Sequence, residues 1–282
     1  MTAAELGQLL LCCPLPDGLR PLTLRQYNRF CELVRNARRE AETDRDLVAG
    51  DLVALGLEAS EAARILALLE RKPALEEARQ RWSRLGITLC AERSGDYPAE
   101  LRQRLDGDAP AVLFLMGDRA ILQRDSVGLA GSRDLSPEGT AFAETVGRMA
   151  ARSGLALVSG NARGADRTAQ EACLRAGGTV IAYVAERLTK QQPRRGVLFV
   201  SEEAPEQSFS SLRALRRNRL IHASGRCTYV AQVRNGIGGT WSGANYHLQK
   251  GWSPVYVHAD GSAGSRALQQ LGAVPVTLRE LL

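Results

Sequence analysis

From residue 127 onward the chain alternates between short runs of apolar residues and longer stretches in which apolar residues recur every three or four positions. The short runs predict buried strands at residues 127–130, 155–158, 179–184, 228–233, 255–258 and 274–277. The periodic stretches predict helices at 137–153, 165–176, 209–222, 240–250 and 265–271. Strands that are apolar throughout belong in a sheet covered on both faces. Strand and helix in strict alternation predict an α/β fold, a doubly wound and mostly parallel sheet.

The first 86 residues read differently. A helix over 24–39 places Tyr27, Phe30, Cys31 and Val34 along one face. A second follows the turn at Leu55-Gly56-Leu57, with Ser60 as its expected N-cap and Ile65, Leu66, Leu68 and Leu69 on its face. A third, 73–85, stops at Gly86. Beyond Gly86 come a strand at 87–90, a short helix opened by Tyr97-Pro98 and a strand at 111–116. The expected division is a small helical domain at 1–86 and an α/β domain at 87–282.

Ligands of a doubly wound sheet bind beyond the carboxyl ends of its strands. Three of the turns at that edge are rich in glycine, hydroxyls and arginine. The first holds Gly131-Ser132-Arg133 before the helix that Ser136-Pro137 opens. The second, "SGNARGAD", holds Ser159, Gly160, Arg163, Gly164 and Asp166. The later "RNGIGGTWSGAN" holds Gly239, Thr240, Trp241, Ser242 and Gly243. Glycines let backbone amides approach an anion, helix N-termini favour negative charge, and arginine grips phosphate bidentately. Three such turns on one edge predict an anion site, although each alone is an ordinary tight turn. Arg133 has two readings, a phosphate ligand or an ion pair with Asp134 or Asp166. Asp166, at a helix start, reads as a backbone cap, and Ser132 and Ser159 as hydrogen-bond donors to phosphate. Trp241 either stacks on a base or packs against the sheet.

Charge sharpens the picture. Residues 1–88 carry 13 basic and 13 acidic side chains, so the whole formal charge of +6 lies in the remainder. Residues 187–234 alone hold ten basic against three acidic side chains, a zone suited to a polyanion such as nucleic acid. The helix over 209–222 is expected to carry Arg213, Arg216 and Arg217 on one face. Six cysteines without paired spacing, no signal-peptide pattern and no long apolar run lead to the expectation of a cytoplasmic protein away from membranes. Three scattered histidines argue against a metal site.

The motifs "GSR", "SGNARGAD", "SEEAP" at 201–205, "RRNRLI" at 216–221 (Arg217-Asn218-Arg219 at its centre) and "GGTWSGA" occur in an order that resembles the DNA-processing protein A family, DprA or Smf. "DYPAELRQRLDGDAPAVLFLMGD" is similar to that family's entry into its extended Rossmann-like fold, and the N-terminal helices resemble its small SAM-like domain. No general base is placed among the turns, so neither catalysis nor a cofactor is expected, and the resemblance implies a homodimeric protein. Such a protein binds single-stranded DNA, protects it and delivers it to the RecA recombinase in natural transformation. The phosphate contacts expected on this reading are Gly131, Ser132, Arg133, Arg163, Arg217, Asn218 and Arg219, and Arg133, at the first turn's helix N-terminus, is expected to grip a phosphate together with Arg163 and Arg219. The stretch between Val184 and Ser201 is shorter than the family pattern, and no winged helix follows, so a divergent member is expected. Two other readings use the same turns. One is a nucleotide-processing enzyme of the lysine-decarboxylase-like superfamily, in which Gly243 stands where the working glutamate is needed. The other is a nucleotide-binding sensor.

Overall fold

The structure, a computed structural model, describes residues 1–37 and 47–281. The chain divides into two units, Met1–Tyr97 with Leu105–Leu113, and Pro98–Arg104 with Phe114–Leu282.

The smaller unit is built from α1 (Ala3–Cys12), α2 (Leu24–Asn36), α3 (Ala49–Ala54), α4 (Ala59–Leu69), α5 (Lys72–Arg84) and β1 (Ile87–Ala91). Reciprocal capping boxes open the first two helices, Thr2 with Glu5 and Thr23 with Gln26. Neither α1 nor α3 is among the helices expected from periodicity. The predicted helix over 24–39 is observed as far as Asn36, and Arg38 and Arg39 lie outside the described residues. Ser60 is not the cap of α4; Glu58 takes that position and Ser60 sits in the first turn. Arg71 is buried and donates to the carbonyls of Leu10 (2.5 Å) and Cys13 (2.7 Å), which satisfies acceptors at the end of α1.

The larger unit holds α6 (Ala99–Leu105) and a sheet flanked by α7 (Pro137–Arg152), α8 (Ala165–Arg175), α9 (Ser211–Ser224), α10 (Gly238–Lys250) and α11 (Ala263–Gln270). Its strands are β2 (Val112–Met116), β3 (Ser126–Ala130), β4 (Ala156–Ser159), β5 (Thr179–Tyr183), β6 (Val197–Ser201), β7 (Thr228–Val230), β8 (Val255–His258) and β9 (Val274–Val276). They lie in the order β2-β6-β5-β4-β3-β7-β8-β9. All neighbours are parallel except β2 and β6. The fold is therefore α/β with a mostly parallel, doubly wound sheet.

Two differences from the sequence-based elements bear on the site. Strand β6 is absent from the expected set, because only a 3-10 turn at Leu188–Lys190 separates it from β5 in place of a helix. Strand β7 ends at Val230 rather than 233, because the next residues leave the sheet to brace a neighbouring turn. Ser132 N–H donates to Gln232 O at 2.9 Å. The chain reverses its winding direction between β3 and β7, which are adjacent in the sheet, and doubly wound sheets bind their ligands in the crevice that the turns after two such strands open.

Candidate nucleic-acid interface

Two hollows lie at the carboxyl edge of the sheet. The larger, about 420 Å³, is walled by the turn Gly131–Asp134, the α9 residues Leu215, Arg217 and Asn218, and the loop from Gln232 to Thr240. The smaller, about 360 Å³, is lined by Gly160, Ala162, Arg163, Glu186 and Phe209. Arg133 borders both. Its side chain is exposed, and among the described residues it makes no hydrogen bond or ion pair.

The turns are locked to one another. Ala165 N–H donates to Ser132 O at 3.1 Å, so the second turn lies directly on the first. Gly164 sits at φ +84°, and a Cβ there would collide with the Ser132 carbonyl oxygen at 2.5 Å. Thr240 Oγ1 donates to Gly131 O (2.9 Å), and Asn218 Nδ2 donates to Gly239 O (3.1 Å), which ties the start of α10 to the first turn and to α9. No side chain caps α10, whose N-cap is Ile237. Its first turn, Gly238-Gly239-Thr240, borders the larger hollow with its backbone unshielded by Cβ atoms at the two glycines. A helix N-terminus and a free guanidinium facing one hollow supply the positive charge that an anion requires.

The charged groups around it separate into outward and inward sets. Arg163 pairs with Asp134 at 2.6 Å, with side chains 77% and 66% exposed, and Arg234 approaches the same carboxylate at 4.0 Å. Asp134 is thus engaged by Arg163 rather than by Arg133. Asp166 is buried and accepts from the N–H groups of Gly160 and Ala162, both at 3.1 Å. Burial raises its pKa, against the nearby Arg217, the two amides and Arg133. It caps its own loop, so those amides are already occupied.

Arg217 is turned inward, not along one face with Arg216, which is exposed. Adjacent helical residues point about 100° apart, and α9 spends that difference on a brace. Arg217 Nη1 donates to the carbonyls of Gly160 and Tyr183, the latter at 2.5 Å. Burial lowers its pKa, with Asp166 opposing. Gly160 is a close-approach position, since a Cβ would meet the Arg217 guanidinium. Arg219 borders neither hollow; it pairs with Glu202 at the end of β6, whose pKa burial raises. The expected trio of Arg133, Arg163 and Arg219 is therefore not brought together. Arg213 also stays local, donating to Ser208 O and Gln207 Oε1.

Ser159 is fully buried and accepts from Gln170 Nε2 at 2.6 Å, so it cannot reach a phosphate at the surface. Ser132 Oγ accepts from Asp134 N–H at 3.2 Å and stays at the mouth of the hollow. Trp241 packs against the core of Val230, Val233, Val255 and Leu268, and Gly243 lies against His222; neither borders a hollow, nor does the exposed Ser242. The lining residues that composition and motif did not single out are Leu215, Ile237 and Phe209. An apolar Ile237 within a glycine loop, 68% exposed, is the signal that was available for the rim.

Residues 88–281 match the model of the family described as DNA recombination-mediator protein A. The chain belongs to that family. Streptococcus pneumoniae DNA processing protein DprA is 30% identical over 148 residues, 49% of this chain and 51% of the relative. Escherichia coli Protein Smf is 28% identical over 196 residues, 64% and 52% respectively, so the chain spans about half the length of the curated relatives it matches. The X-ray structure of DprA from Streptococcus pneumoniae superposes with a TM-score of 0.74 at 24% identity, covering 100% of this chain and 97% of that one. DprA from Helicobacter pylori, a structure concerned with its single-stranded DNA binding mode, superposes with a TM-score of 0.56 at 23% identity over 67% of this chain and 90% of its own. These likenesses establish the Rossmann-like family fold. Among the described residues there is no group of three or more metal-ligating side chains, and no helix is long and apolar enough to cross a membrane.

Proposed function

We propose that this chain binds single-stranded DNA across the two hollows and, as a dimer in the cytoplasm, protects the strand and hands it to a RecA-type recombinase. The observation that carries the DNA reading is the unpaired Arg133 guanidinium between two adjoining hollows, facing the uncapped start of α10. A single strand offers what this edge accepts: phosphates for Arg133 and the α10 amides, and bases for the apolar rim of Leu215, Ile237 and Phe209. A duplex keeps its bases stacked inside and meets only the charge. The reading is of a binding protein rather than an enzyme.

The recombinase step is supported by membership of a recombination-mediator family, and the dimer rests on the motif resemblance alone. The experiment is fluorescence anisotropy of labelled oligo-dT, with unlabelled duplex and dTMP as competitors. The expected result is tight binding to the single strand, displaced poorly by either competitor. Displacement by dTMP at equal phosphate concentration makes the larger hollow a mononucleotide site and promotes the sensor reading.

A further inference from the structure

We infer that Gln232 is a positioning residue of the anion site, whose neutral amide holds the turn that presents Arg133. The inference rests on the DNA reading above and deepens it. Gln232 follows β7 and borders the larger hollow. Its backbone carbonyl accepts from Ser132 N–H at 2.9 Å. Its side-chain Oε1 accepts from Ser136 N–H at 2.8 Å, and its Nε2 donates to Asp134 O at 3.4 Å. One residue therefore grips the turn on both sides of Arg133. Ser136 is also the N-cap of α7 and takes Gly139 N–H at 3.0 Å, so the same grip sets where α7 begins. Gly139 leaves the room: a Cβ there would lie 2.7 Å from Gln232 Oε1.

Both halves of the amide are used, one as acceptor and one as donor. A carboxylate of equal size could still accept from Ser136 N–H. It could not donate to the Asp134 carbonyl, and it would face that oxygen with like charge. It would also add an anion to a hollow in which Asp134 and Asp166 already stand beside Arg133 and Arg234. The amide keeps the turn braced at no electrostatic cost to a polyanion.

The test titrates labelled oligo-dT with the parent, Gln232→Glu and Gln232→Met at several salt concentrations, beside thermal melts. Gln232→Glu is expected to weaken binding at least about 10-fold at low salt, with a salt slope shallower by about 0.7, because the new anion offsets one counterion release. Gln232→Met loses both side-chain contacts without adding charge. It should weaken binding about 3-fold with an unchanged slope, and cost nothing further in an Arg133→Ala background, since it acts through Arg133. A parent that binds alongside a Gln232→Glu variant that binds equally overturns this inference alone. Should that variant not fold, parent-like binding by Gln232→Met overturns it. A parent that fails to bind oligo-dT overturns the DNA reading, and the inference with it.

Discussion

Acid should loosen the walls of the site through a pair of buried histidines. His222 on α9 and His247 on α10 meet Nδ1 to Nδ1 at 3.1 Å. Ser253 N–H donates to His247 Nε2 at 3.1 Å, so His247 carries its proton on Nδ1 and donates to His222. Burial pushes the His222 pKa down to about 3, helped by His247, and burial chiefly pushes His247 down to about 4. In the unfolded chain both titrate near 6.5. A histidine depressed in the fold contributes its full stability above about pH 6.5, and loses it as pH falls toward the folded value, because the unfolded state takes up protons first. At pH 5 the unfolded chain holds nearly two more protons on this pair than the fold does. The slope there is about 2.5 kcal/mol per pH unit, and the loss between pH 7 and pH 5 is about 4 kcal/mol. Asp166 and Glu202, whose pKa values burial raises, act in the opposite direction. Their contribution cancels when the parent is compared with a His222→Gln/His247→Gln variant. Urea unfolding at half-unit steps from pH 7.5 to 4.5 gives both curves. The difference between them should be flat above pH 7 and steepen below 6.5. Parallel curves, or His222 and His247 resonances titrating near pH 6.5 in the native protein, refute the reasoning.

Two further outcomes follow from the charges around the hollows. Asp134→Asn releases Arg163 and Arg234 from an exposed pairing worth at most about 1 kcal/mol. Oligo-dT binding should therefore tighten about 2- to 5-fold by anisotropy, with no change in melting temperature. Arg217→Met strands the Gly160 and Tyr183 carbonyls and leaves Asp166 without its cation, so calorimetry should show a loss of about 2–4 kcal/mol. A variant that keeps parental stability but loses DNA binding would make Arg217 a direct ligand instead of a brace.

The fold was legible where one physical signal dominated. Strands β3, β4, β5 and β8 are mainly apolar because both faces are covered, and the helices between them keep their period. The signal failed where tertiary contacts override local preference. Gly238 and Gly239 are poor helix formers, yet α10 begins there because Thr240 and Asn218 pin that turn. Strand β6 was hidden because no helix announces it. The helix α1 was readable in principle from Thr2 and Glu5, three residues apart.

At the site, the motifs located the turns but not the direction of each guanidinium. Arg133 and Arg217 are both arginines in matching motifs. One is exposed between two hollows, while the other is buried against main-chain carbonyls. That distinction depends on which face of α9 meets the ends of β4 and β5, and no spacing in the chain states it. Ser159 is the same case, a hydroxyl in a glycine-rich turn whose position at the end of a covered strand buries it.

The central claim is that the strand's phosphate is held by Arg133 at the crevice after β3. The most direct measurement is oligo-dT affinity of the parent and Arg133→Ala across a range of salt, with melting temperatures of both. Removal of a charge-assisted phosphate contact should weaken binding by about 1.5–3 kcal/mol, roughly 10- to 150-fold, and reduce the salt slope by about 0.7. The melting temperature should stay within about 1 °C of the parent's, because an exposed guanidinium with no partner holds nothing together. An Arg133→Ala protein that binds oligo-dT like the parent at low and high salt contradicts the account and moves the strand off this edge of the sheet.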